Sequence, residues 1–144
     1  MAEHTDTDFD RLFFERSAST LRVHGILSIV FGSIGAFLGL VIMALMVVST
    51  ALNGYDTDYY DDSTFALIFS GFSILLFWIL PHVYLIISGY HLTRRPTPKL
   101  AKTLIIINLV VGVFYNFVIL IFAIVNLTES SNYERWYHLH AHKK

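Results

Sequence analysis

The residues in this chain that could do chemistry are few, and most interrupt long apolar runs. His82, Tyr84, Asn108, Tyr115 and Asn116 fall inside stretches that otherwise carry no charge. Counted inward from the basic turn at 91–102, His82 lies about 15 Å and Asn108 about 9 Å deep, with Tyr84 between them. Polar and ionisable groups inside a membrane are costly, so they face protein or water and are candidates for function. The simpler reading is structural: a neutral histidine hydrogen-bonded to asparagine, serine or tyrosine holds helices together.

Two other groupings invite a metal or haem. His138, His140 and His142 alternate in the tail, so an extended chain would place them on one face with a metal-binding composition. Nothing nearby preorganises such a site, and a solvated tail explains the pattern as well. Haem held by two histidines needs both to face each other at one depth. His82 has no histidine partner at its depth, and His24 and His91 read as interfacial side chains. No cofactor is expected. The acidic stretch at 53–62 contains Asp56, Asp58, Asp61 and Asp62. It is not a calcium loop, because Asp61 stands where glycine is required and Leu67 where a bidentate glutamate is required. Nucleotide-binding, serine-hydrolase and zinc-protease motifs are missing, and so are intramembrane carboxylate pairs. Asn126-Leu127-Thr128 fits a glycosylation pattern but overlaps a helix end close to the bilayer.

These residues are positioned by elements that the composition makes plain. The chain has 144 residues, of which 55% are hydrophobic and 15% charged, with a mean hydropathy of +0.59. Such values lie outside the range of soluble domains. There is no cysteine, which removes disulfides and thiolate metal sites from consideration. The acidic N-terminus, with Glu3, Asp6, Asp8 and Asp10, does not read as a cleavable signal. Basic residues form one membrane-flanking cluster and no extended face, so no nucleic-acid partner is expected.

Three uncharged runs, 23–52, 63–90 and 103–128, are each long enough to cross a bilayer. The pattern predicts an all-α integral membrane protein with three transmembrane helices. Residues 8–22, with Phe9, Leu12 and Phe13 at helical spacing, predict an N-terminal interfacial amphipathic helix. Residues 129–144 form a polar tail whose Tyr133, Trp136 and Tyr137 suit a membrane-water interface. Pro81 predicts a kink near 77–81. The whole chain reads as a single membrane domain.

Arg94, Arg95, Lys99 and Lys102 in the basic turn determine topology. With three crossings, the N-terminus and this turn share the basic, cytoplasmic side, and the acidic loop and C-terminus lie outside. The sequence Gly89-Tyr90-His91-Leu92-Thr93-Arg94-Arg95 before Ala101-Lys102 resembles a layout found in small bacterial membrane proteins. That resemblance implies a bacterial inner or plasma membrane.

The first run has one face of small residues: Gly25, Ser28, Gly32, Gly35, Ala36 and Gly39. Small residues let helix backbones approach closely, which is how helices associate where lipid supplies no hydrophobic drive. The partner expected on that face is another helix of the chain, another copy or a different membrane subunit. A non-enzymatic accessory, assembly or scaffold subunit of a membrane complex is therefore the leading expectation. A small oligomeric channel or transporter using the intramembrane polar residues is second, and a metal- or haem-binding subunit third.

Overall fold

The computed structural model describes the backbone over 3–53 and 60–141, and the side chains over 11–52 and 65–140. The acidic stretch at 54–59 and His142 lie outside the described residues. Among the described residues six α-helices appear in order: α1 (Glu3–Asn53), α2 (Tyr60–Ile74), α3 (Leu80–Thr93), α4 (Pro98–Tyr115), α5 (Phe117–Thr128) and α6 (Ser130–Ala141). A π-helical stretch, Leu75–Ile79, joins α2 to α3, and no strand occurs among the described residues. Three segments are long and apolar enough to cross a membrane by length and composition: Arg11–Leu52, Phe65–Thr93 and Pro98–Tyr115.

Three expectations are corrected. First, no break separates an interfacial helix at 8–22 from a span at 23–52. α1 runs through both, because the sequence offers no proline or turn pair there. Ser17 and Leu21 on its early turns are buried in protein. Second, 103–128 is not one spanning helix. The chain breaks at Asn116, whose backbone is extended at φ −158°, and α5 folds back on α4. A Cβ on Gly112 would sit 2.7 Å from the Leu120 backbone nitrogen, so glycine is what lets the hairpin close. α5 has 12 residues, or about 18 Å of helix, which is shorter than the roughly 30 Å hydrocarbon core. Third, the tail does not lie across from the basic turn. It forms α6, and the Tyr133 hydroxyl donates to the Pro96 carbonyl at 2.7 Å.

The expected kink at Pro81 takes a specific form. Proline has no N–H to give to the carbonyl four residues back. The helix widens one turn earlier instead, with the Leu80 N–H donating to the Leu75 carbonyl. π-bulges of this kind accommodate a residue that cannot join the regular ladder.

The chain forms two compact units. One comprises Met1–Ile29 and Ile87–Lys144. Its apolar core gathers Leu21, Leu92, Ala101, Leu104, Ile105 and Ala123 with Tyr133 and Trp136 from α6. The tail aromatics are thus core residues rather than a lipid-facing belt.

The second unit is Val30–Ile86, in which the later half of α1 meets α2, the π stretch and the start of α3. Its close contacts are made by glycines. A Cβ on Gly32 would lie 2.7 Å from the His82 carbonyl, and one on Gly39 would lie 2.7 Å from Trp78 Cδ1. A Cβ on Gly35 would overlap the His82 imidazole. The bare Gly35 carbonyl is reached by Trp78 Nε1, which donates to it at 3.0 Å. Ala36 is half-buried beside these three buried glycines.

Candidate functional site

The most ordered polar constellation lies in the first unit, around His24. Helical phase on α1 puts His24 and Ser28 on one face, and both are fully buried. α3 brings Ser88, α4 brings Asn108 and α5 brings Asn126, all buried. Gly25 and Gly89 make this layer possible. A Cβ on Gly25 would lie 2.7 Å from the Gly89 carbonyl, and a Cβ on Gly89 would strike the Gly25 carbonyl. Backbone therefore crosses backbone one residue away from the histidine.

The hydrogen bonds fix the imidazole's tautomer. Asn126 Nδ2 donates to the Phe122 carbonyl at 2.7 Å, which establishes that nitrogen as the amide NH2. The same nitrogen lies 3.3 Å from His24 Nδ1, so Nδ1 is an acceptor and carries no hydrogen. The proton must then sit on Nε2. Nε2 lies 3.3 Å from the Asn108 side-chain amide, while Ser88 Oγ lies 3.0 Å from that amide's other atom. An Nε2–H needs an oxygen, so the Asn108 amide is satisfied with its carbonyl turned to His24 and its NH2 turned to Ser88. Read this way, a chain of donors runs from Asn126 through His24 and Asn108 to Ser88. The Phe122 ring covers one side of His24, with centroids 6.2 Å apart. The bonded set of Asn126, His24, Asn108 and Ser88 joins four helices, while Ser28 Oγ beside His24 is buried with no hydrogen-bond partner among the described residues.

The polar residues singled out in the sequence are distributed otherwise. Asn108 belongs to this layer. His82 is buried in the second unit, stacked on Trp78 at 5.5 Å, with Nδ1 donating to the Trp78 carbonyl at 2.7 Å. Tyr84 and Tyr115 are half-buried. Asn116 is a helix cap: its side-chain oxygen accepts from the Val118 and Ile119 backbone N–H groups at 3.0 and 3.2 Å. Asparagine is a favoured N-cap, and this cap is what restarts the helix as α5. Read as part of one long apolar run, Asn116 gave no sign of a turn. His24, expected at the interface, is instead the hub. The signal was an asparagine at each end of 103–128, Asn108 and Asn126, but pairing them required the run to fold back.

Within α6, His138 and His140 do not share a face. On a helix, His138 and His140 point about 160° apart. His138 lies 4.0 Å from Glu134 in an exposed pair, and His140 stacks on Trp136 at 4.6 Å. Among the described residues no group of three metal-binding side chains converges. Asn126 is buried and bonded, so its glycosylation pattern is inaccessible in this fold.

Of the residues expected to determine topology, Lys99 and Lys102 are exposed at the start of α4. Arg94 lies over the Tyr90 ring at 4.2 Å and Arg95 over the Trp136 ring at 5.1 Å.

No family model, curated protein or solved structure matches this chain.

Proposed function

We propose that the protein is a non-enzymatic accessory or assembly subunit of a membrane complex, with its second apolar helix offered to a partner. The carrying observation is an unused close-approach face on α2. A Cβ on Gly71 would meet nothing within 4 Å, in contrast to the glycines of α1. The neighbouring Ser70 hydroxyl donates to the Ala66 carbonyl of its own helix, so it asks nothing of a partner. Only 11% of the most apolar window of Phe65–Thr93 is buried within the chain. Glycine and serine on an otherwise bulky helix suit close approach by another transmembrane helix, either a different subunit or a second copy. The channel reading draws less support, since Asn116 is spent as a cap and Asn108 is sealed against His24 and Ser88.

The hairpin supports one arrangement in the bilayer. Two crossings, by α1 and by α2–α3, are followed by α4–α5 entering and returning as a re-entrant pair. The backbone at the 116 turn stays paired, as a hydrocarbon setting requires: the Asn116 N–H donates to the Gly112 carbonyl at 3.1 Å, and the Asn116 side chain accepts from the Val118 and Ile119 N–H groups. All ten Lys and Arg then fall on the side shared by the N-terminus, the basic turn and the tail, and the 53–62 loop has none. Moving Arg135, Lys143 and Lys144 to that side removes every exception to the positive-inside rule. The N-terminus, the turn and α6 are cytoplasmic in this reading, in a bacterial inner or plasma membrane.

The chain has no cysteine, so single cysteines can report the partner directly. Gly71→Cys in native membranes should crosslink to one species of fixed mass. Phe69→Cys, about 160° around the helix, should not. Equal crosslinking at both positions, or at neither, refutes the partner face.

A further inference from the structure

A cleft of about 310 Å³ opens at the basic end of the first unit, lined by Glu15, Ser19, Arg22, Thr93, Arg95 and Trp136, among others. Its walls come from three separated parts of the chain, and it exists only because α6 returns to the turn after α3. Ligand pockets for headgroup-sized molecules begin near this volume. We propose that this cleft binds the phosphate of an anionic polyol-phosphate headgroup.

Two guanidinium groups reach the cleft, and neither has a carboxylate within 4.0 Å among the described residues, although Glu15 lines the same space. Arg22 is exposed on α1. Arg95 occupies a left-handed conformation at φ 54°, a region that normally favours glycine or asparagine. An arginine held there is backbone strain kept for a side chain, and its guanidinium lies over the Trp136 ring. Trp136 is itself buried and stacked on Tyr133 at 5.7 Å, so the platform beneath Arg95 is rigid. Guanidinium groups fixed on an aromatic plane are well suited to phosphate oxygens.

Glu15 adds selectivity. A carboxylate beside a phosphate site repels a bare polyanion but accepts hydrogen bonds from hydroxyls. Ser19 supplies a second hydroxyl contact. Thr93 Oγ1 donates to the Tyr90 carbonyl at 2.8 Å and keeps lone pairs for a third. This donor and acceptor set fits a phosphodiester bearing glycerol or inositol hydroxyls better than a phosphate bearing an amine. Basic pockets at the cytoplasmic ends of membrane helices hold such headgroups elsewhere.

The same phosphate chemistry could arrive as a lipid or as a soluble polyol phosphate, and the test separates them. The full chain is delipidated in detergent and titrated, under native mass spectrometry, with phosphatidylglycerol, phosphatidylcholine and glycerol 3-phosphate. Phosphatidylglycerol should bind well ahead of phosphatidylcholine. Arg22→Gln and Arg95→Gln should each weaken it about fivefold, the effect of one basic residue near an anionic surface. Arg95→Gly relieves the backbone strain yet should lose binding equally, which separates recognition from folding. Binding of glycerol 3-phosphate with the same arginine dependence, and no lipid preference, would support the site and assign it to a soluble ligand. Equal binding of anionic and zwitterionic lipid without soluble binding, or unchanged affinity in both glutamine variants, overturns the proposal.

Discussion

Replacing the buried Gly25 with alanine should destabilise the first unit far more than a methyl added where space is open. The new Cβ would sit 2.7 Å from the Gly89 carbonyl oxygen and 3.0 Å from Thr93 Cγ2. A comfortable carbon-to-oxygen contact is about 3.4 Å, so α1 and α3 must separate by roughly 0.7 Å. The carbonyl belongs to helix backbone and cannot rotate away. Overpacking of this kind costs about 1–3 kcal/mol. The shift also pulls on His24, the preceding residue, whose amide contacts already stand at 3.3 Å. A few tenths of an ångström more takes both beyond hydrogen-bond range. Interhelical hydrogen bonds in membranes average about 0.6 kcal/mol, so losing two adds about 1 kcal/mol. The expected total is about 2–4 kcal/mol, a large share of the ~5–15 kcal/mol that holds a typical domain. Gly71→Ala is the control, because the same methyl enters open space. It should be neutral or gain up to about 1 kcal/mol from helix propensity. Both variants would be unfolded in mild detergent by heat and by added sodium dodecyl sulfate, followed by circular dichroism. Equal midpoints for the two would refute the backbone crossing as the source of the unit's stability.

Other outcomes follow from individual contacts. Asn116→Ala removes the cap of α5 and should cost about 0.5–2 kcal/mol, with Asn116→Ser retaining most of it, read from the same melts. Tyr133→Phe removes the bond to the Pro96 carbonyl and should cost about 0.5–1.5 kcal/mol at neutral pH. Burial, and Tyr137 beside it, push the Tyr133 hydroxyl up to about 12 despite Arg95 nearby. A raised folded-state value favours the protonated form, so the stabilisation is complete below about pH 10 and fades as pH rises toward 12. The gap between the original protein and Tyr133→Phe should therefore close over that window, and a gap constant to pH 12 would contradict the burial. Reporter fusions at the N-terminus and C-terminus should report the same side of the membrane, and opposite sides would rule out the re-entrant hairpin.

The helical class was legible in the sequence, and so were segments long and apolar enough to cross a membrane, because both depend on local quantities. Uncharged runs of twenty or more residues have few alternatives to a helix in lipid, where each backbone group must bond internally. The glycine spacing on α1 was equally visible, since helical phase alone puts Gly25, Gly32, Gly35 and Gly39 on one side. Their contacts were not, because spacing does not say that Gly25 meets Gly89 or that Gly35 meets His82. The sequence counted 103–128 as one crossing, for hydropathy is blind to a single asparagine whose side chain can replace backbone partners. Only the tertiary structure decided that Asn116 caps a new helix, that Gly112 has room for Leu120, and that the chain doubles back. From that one turn follow the pairing of Asn108 and Asn126 across His24, the return of Trp136 to Arg95, and the cleft between them. Each of these joins residues far apart in the chain, and non-local pairing has no signature in periodicity or composition.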